Sequence, residues 1–377
     1  MTVDAARGSG QTATTFDVVP PETPSVAVSV GELTDAVARF LRALGMPSQH
    51  ARWTAEALVD ADRGGVPTHG TVRLESYAEA LRRGDVAVDP TLKIESDLGS
   101  VLRLDAGNAQ GQVAGRWAVD AGMRVARSTG VCVVAMRRAN HLGMLGFYVE
   151  RAARAGFAGW LTQATSPTTL AVGAREPRLG NNPVAFAVPT GGDYPLVLDI
   201  SCSAVSRGRI RLALREGAPI PEGWALRPDG EPARTAAEAM AGGLLPFGGH
   251  KGAGLATVLG AFSGVLTGAA FGAGVTESSS SAAGRDIGVF AVLIDTAALL
   301  DGSELRRRMG EYVDYILASP TVPGAEPVSV PGRSAWLRRC RSTTEIELPE
   351  PRFRELERLL RSNGVEPPTP IDRRQPN

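Results

Sequence analysis

Three of the four histidines in this 377-residue chain sit in glycine- or cation-bearing segments: Thr68-His69-Gly70-Thr71-Val72-Arg73, Asn140-His141-Leu142-Gly143 and Gly249-His250-Lys251-Gly252. Imidazole is the side chain whose ordinary proton equilibrium lies nearest neutrality. A histidine that follows a hydroxyl residue (Thr68) and precedes an arginine by four positions suits acid/base work on an anionic substrate. His69 is then the proton donor and acceptor, and Arg73 offers a planar fork to a carboxylate. His141 follows an apolar run, at a strand end, where sites in such sheets are frequently assembled.

Composition narrows the partner. Forty basic and forty acidic side chains leave no net charge, so neither nucleic acid nor an anionic membrane is favoured over a small molecule. Cys132, Cys202 and Cys340 are few, odd in number and without metal-ligand spacing, which argues for a reducing compartment, the cytoplasm, and for no metal. Residues 1–27 are rich in Gly, Ser, Thr and Pro and read as a disordered tail without a signal-length apolar run. The apolar stretch 252–274 is too rich in glycine for a membrane span and reads as a buried helix.

The elements that must carry these residues begin at Ser29, which forms a capping-box pattern with Glu32. Leu33, Val37, Phe40, Leu41 and Leu44 recur at helical spacing, residues 51–63 repeat the pattern, and 73–83 read as a third helix. Short apolar runs at 101–104, 131–136, 184–188, 196–200 and 290–295 read as covered strands, with helices at 111–128, 145–155, 303–316 and 352–360. The class is α/β or α+β with a mixed sheet and two or three domains. Neither G-x-G-x-x-G nor G-x-x-x-x-G-K-[ST] occurs, so any dinucleotide must be held on another scaffold.

Gly65-Val66-Pro67-Thr68-His69-Gly70-Thr71-Val72-Arg73-Leu74-Glu75-Ser76-Tyr77, Asn140-His141-Leu142-Gly143, Leu179-Gly180-Asn181-Asn182-Pro183-Val184-Ala185-Phe186, Leu198-Asp199-Ile200-Ser201 with Arg207-Gly208-Arg209-Ile210, and Gly249-His250-Lys251-Gly252-Ala253-Gly254 together resemble successive blocks of the malate/L-lactate dehydrogenase family. The blocks follow in that family's order over nearly the whole folded chain. The resemblance implies a non-Rossmann dinucleotide-binding fold whose mixed sheet (96–294) is flanked by a helical part. That part is formed from residues 28–95, with the catalytic histidine, and 295–365, with a short tail at 366–377.

It further implies a homodimeric enzyme using NAD or NADP, with NADPH slightly favoured, that moves hydride to or from the carbon beside a carboxylate in 2-oxo and 2-hydroxy acids. The alternative within the family is a reductase of cyclic imine carboxylates of the piperideine or pyrroline type. A redox-inactive, metabolite-binding relative is the reading from outside enzymology. By the same resemblance Gly180, Asn181, Asn182 and Pro183 lie near the dinucleotide, while Ser201, Ser203, Ser206 and Arg207 bind ribose and phosphate, Arg207 favouring a 2′-phosphate. Gly249, Lys251 and Gly252 open a helix whose free amides and lysine make an anion site. Thr68, Asn181, Arg209 and His250 stand where the family commonly has Ser, Thr, Lys and Tyr, which points to a specialised substrate.

Overall fold

Apolar side chains at helical spacing near both ends of the chain, and in short covered runs through its middle, sort the elements into a helical layer and a sheet. The computed structural model describes residues 24–276 and 285–371. In chain order the strands are β1 (Ser25–Ser29), β2 (Lys93–Asp97), β3 (Val101–Ala109), β4 (Val131–Ala139), β5 (Phe157–Gln163), β6 (Pro167–Thr169), β7 (Leu179–Gly180), β8 (Val184–Val188), β9 (Leu196–Ile200), β10 (Ala225–Leu226), β11 (Gly243–Leu244), β12 (Ile287–Asp295) and β13 (Glu345–Pro349). The helices are α1 (Val30–Ala43), α2 (Ser48–Arg63), α3 (Leu74–Arg83), α4 (Gly111–Thr129), α5 (Gly146–Arg154), α6 (Arg207–Glu216), α7 (Ala236–Ala241), α8 (His250–Gly260), α9 (Gly302–Leu317), α10 (Arg333–Arg341) and α11 (Glu350–Arg361).

Seven strands form the main sheet in the order β2-β3-β4-β12-β5-β8-β9. Only β3 and β4 are parallel neighbours, and β12 enters antiparallel between β4 and β5. Strands β3, β4, β5 and β9 therefore run in one direction. Their C-terminal ends gather at one edge with the starts of β8 and β12. Side chains such as Leu102, Val134, Leu161 and Leu293 pack with Val119 of α4 and Val149 of α5 into one fully covered core. A second core joins both chain ends: Phe40 of α1, Leu58 of α2 and Leu81 of α3 pack with Ile346 of β13 and Phe353 of α11.

Three local expectations are corrected. The tail assigned to 1–27 lies outside the described residues as far as residue 23, but Ser25–Ser29 is a strand paired with Glu345–Pro349, because Val28 is fully buried in the second core. Of the capping box at Ser29 only one half forms: Ser29 Oγ accepts the Glu32 N–H at 3.4 Å, while the Glu32 carboxylate accepts from the Thr369 N–H. Residues 252–274 are not one buried helix. They comprise most of α8, a π turn at Ala261–Val265 and a loop, and Val258, Val265, Leu266 and Phe271 are more than half exposed. Among the described residues no helix is long and apolar enough to cross a membrane.

Candidate active site

The His69 turn is a short bridge between α2 and α3. Pro67–His69 and Thr71–Arg73 form two successive 3₁₀ turns, so Arg73 lies just before α3 rather than within it. Asp62, near the end of α2, clamps the turn by accepting the Thr71 N–H at 2.9 Å and the Thr71 hydroxyl at 2.7 Å. Gly70 is required there, since a Cβ on it would sit 1.8 Å from Asp62 Oδ1. Burial pushes the Asp62 carboxyl up, opposed by Arg352 of α11, so the C-terminal helix bears on this turn.

His141 arrives on the turn after β4. Asn140 Nδ2 donates to the carbonyls of Asn108 and Ala109, and the Leu142 N–H donates to Gln163 Oε1, which ties the turn to the ends of β3 and β5. Gly111 lets α4 begin directly beneath it, for a Cβ would meet the His141 carbonyl oxygen at 1.9 Å. The rings of His69 and His141 stack with centroids 5.6 Å apart and planes 17° apart. Burial first, then the nearby Arg73 guanidinium, pulls His69 down to about 4. His141 is held well below its ordinary value by burial and by Arg73, His69, Arg285 and Arg211. Both imidazoles are thus neutral at pH 7.

Both rings line a cleft of about 690 Å³ at the edge where the strand ends gather. Thr68, Arg73, Asn181, Pro183, Ser201, Ser206 and Arg207 line it too. Arg73 Nε donates to the Thr68 carbonyl at 2.8 Å, which leaves its two terminal nitrogens without a protein partner among the described residues. The fork offered to a carboxylate is therefore the end-on pair. The methyl of Thr68 faces the start of α6, where a Cβ on Gly208 would approach it to 3.4 Å. It fills a space left by a glycine.

The remaining predicted residues do not line the cleft. Asn182, at φ +26°, is a buried strut whose Nδ2 donates to Ala256 O at 2.8 Å and whose Oδ1 accepts the Thr165 N–H. Gly180 is packed against Thr165, and the Ser203 hydroxyl donates to Val205 O at 2.7 Å. Gly249, His250 and Lys251 are exposed at the start of α8, and Gly252 is buried against Phe247 and Cys202.

Sequence reasoning missed four members of the site. Tyr77 places its hydroxyl 2.9 Å from His141 Nδ1, and Gln112 Nε2 donates to that same hydroxyl at 3.2 Å. Asp199, at the end of β9, accepts the Gly146 N–H at 2.6 Å at the start of α5 and is raised to about 6 by burial. Arg285 enters the lining just before β12. Tyr77 and Asp199 stand inside the quoted family blocks; Asp199 interrupts the apolar run Leu196–Ile200, which was an available signal, whereas Tyr77 lies among Glu75, Ser76 and Glu79 and carried none.

The shape and donors of the cleft fit a nicotinamide cofactor: it holds an imidazole pair, the terminal nitrogens of Arg73 and, at Ser206, Arg207 and Gly208, the start of a helix. Among the described residues no group of three or more His, Cys, Asp or Glu could hold a metal ion.

Comparison with known proteins gives the same picture. The malate/L-lactate dehydrogenase family profile matches residues 28–357. A (2R)-3-sulfolactate dehydrogenase (NADP(+)) of Chromohalobacter salexigens is 36% identical over 329 residues, covering 86% of this chain and 95% of that protein. The solved sulfolactate dehydrogenase of Methanocaldococcus jannaschii superposes with a TM-score of 0.82 at 30% identity, covering 90% of this chain and 98% of that one. The Δ1-piperideine-2-carboxylate reductase of Pseudomonas syringae pvar. tomato does so with a TM-score of 0.78 at 29% identity, covering 88% and 99%.

Proposed function

The chain belongs to the malate/L-lactate dehydrogenase family and is an NAD(P)-dependent oxidoreductase of it, and from that premise we propose which residues perform the reaction and on what. The observation that carries the reading is the convergence of neutral His69 and the free end of Arg73 on one cleft, from consecutive turns. The nicotinamide, when bound, supplies the acceptor or donor of the hydride at the carbon beside the substrate carboxylate. Arg73 holds that carboxylate through its terminal nitrogens. In the oxidation direction the hydroxyl O–H bond breaks as its proton passes to His69 Nε2, and the C–O bond becomes C=O while the hydride leaves with its electron pair. Reduction reverses each transfer. A bound carboxylate offsets the Arg73 charge and raises the imidazole toward neutrality, which suits it to return the proton.

The substrate is a 2-hydroxy or 2-oxo acid. The second reading, reduction of a cyclic imine carboxylate, draws on the likeness to the piperideine-carboxylate reductase and uses the same His69 and Arg73. Arg207, at the start of α6 in the cleft, favours NADPH by pairing with a 2′-phosphate. Asn181, Pro183, Ser201 and Ser206 complete the cofactor wall. The exposed apolar side chains Val258, Val265, Leu266 and Phe271 suit burial against a second copy of the chain, a homodimer. Three unpaired cysteines suit the cytoplasm.

Fluorescence titration with NADH and NADPH, followed by turnover assays on 2-oxo acids and cyclic imine carboxylates, tests the proposal. Turnover of a 2-oxo acid that is lost in His69→Ala supports it. Turnover of imines alone replaces the substrate class, and absence of cofactor binding overturns the reading.

A further inference from the structure

His141 is not an equivalent partner of His69, and the reason lies behind it. Gln112 Nε2 lies 3.2 Å from the Leu142 carbonyl oxygen, an atom that only accepts, so this end of the side chain is the amide NH₂. Its Oε1 accepts from Gln110 Nε2 at 2.7 Å, which agrees with that orientation. The second N–H of Gln112 then donates to the Tyr77 oxygen at 3.2 Å. Tyr77 is buried, and burial keeps its phenol protonated. Among the described residues its one remaining partner is His141 Nδ1 at 2.9 Å. Were Nδ1 protonated as well, both neighbours would donate to the tyrosine oxygen and its own buried proton would be left without an acceptor.

We propose that Gln112 and Tyr77 are positioning residues that fix neutral His141 as its Nε2–H tautomer, so that the two stacked imidazoles have separate tasks. This rests on the cleft being the reaction site. His141 presents an N–H donor to the substrate oxygen and takes no proton from it. His69 is the proton acceptor, because among the described residues the one hydrogen-bond partner of its ring is the Thr68 hydroxyl, 3.2 Å from Nδ1, which accepts or donates with equal ease and leaves Nε2 to hold a lone pair.

The test uses the full chain with ¹⁵N-labelled histidine and long-range ¹H–¹⁵N correlation at neutral pH. The His141 signals are assigned by their loss in His141→Asn. The expected spectrum shows His141 protonated at Nε2 and bare at Nδ1, turning into a mixture or the opposite tautomer in Tyr77→Phe and in Gln112→Met. In Tyr77→Phe, kcat falls about tenfold or more while the KM for the nicotinamide is unchanged. An Nδ1–H tautomer in the unmodified protein, or an unaltered tautomer in both variants, overturns the proposal. Failure of the functional reading looks different: the tautomer is as described, yet no acid or imine is turned over.

Discussion

Thr68-His69-Gly70 and Gly249-His250-Lys251 have much the same local texture, a histidine between a glycine and a nearby cation, and opposite surroundings. The first is wedged between two helices, faces a second imidazole 5.6 Å away and is desolvated until its ring is neutral. The second opens α8 in solvent, outside the cleft lining. Yet the two regions are linked: the Phe247 N–H donates to Cys202 O, in the segment that carries Ser201 into the cleft. Residue type supplies the chemistry, but burial and a facing partner decide whether it is used.

The largest effect that sharpens this contrast is on turnover. His69→Ala should lower kcat by roughly two to four orders of magnitude with an unchanged circular dichroism spectrum, whereas His250→Ala should stay within about threefold. Equal losses in the two variants would erase the distinction. Next, Arg73→Lys should raise the KM of the acid by about 10–100-fold, because one ammonium replaces the two-pronged end of the guanidinium, with cofactor affinity preserved. A fall in cofactor affinity alone would take Arg73 off the carboxylate. Smaller again, Arg207→Ala should weaken NADPH binding by about tenfold in a fluorescence titration and NADH binding much less. Lys251→Ala should change either by no more than about threefold, since an exposed cation outside the cleft is well screened. A larger loss at Lys251 would mean that the bound dinucleotide reaches the start of α8.

The smallest effect is on stability. A histidine whose folded value is depressed to about 4 is kept neutral by the fold while the unfolded chain takes up the proton below its ordinary value of 6.5. Stability therefore falls as pH drops from about 6.5 toward 4. Asp199, raised from 3.8 to about 6, has the opposite sign, its contribution being lost as pH rises through that value. The drop in Tm between pH 6.5 and 4.5 should shrink in His69→Gln by on the order of a few degrees, Asp199 being common to both proteins. An identical drop would show that His69 is not desolvated.

Helix α1 and five of the seven strands of the main sheet were legible because each carries its own period: Leu33, Val37 and Phe40 on one face of α1, unbroken apolar side chains through β8; β2 (Lys93–Asp97), largely exposed and charged, and β5 (Phe157–Gln163), broken by Gly159 and polar at its end, were missed. Strand β12 was visible as a strand, but its insertion between β4 and β5 was not, for nothing local to 287–295 names its neighbours. Strand β1 was missed because Val26 reads as part of a Ser- and Pro-rich tail and Val28 as the lead-in to the first helix, until β13, more than 300 residues on, pairs with both. Asn182 is placed near the dinucleotide by the family resemblance of its block, and in the fold Thr165 and Ala256 take both ends of its amide.

What the chain determined by itself is the set of reactive groups and their near neighbours: His69 and Arg73 one short turn apart, Thr68 beside the ring, glycines where helices must end. Turn chemistry and periodicity act over a few residues and are written there. Tertiary structure alone decided that His141 would face His69, that Tyr77 and Gln112 would stand behind it, and that Gly249 to Lys251 would remain in water. Those outcomes depend on strand order and on desolvation, which arise only when distant segments exclude solvent together.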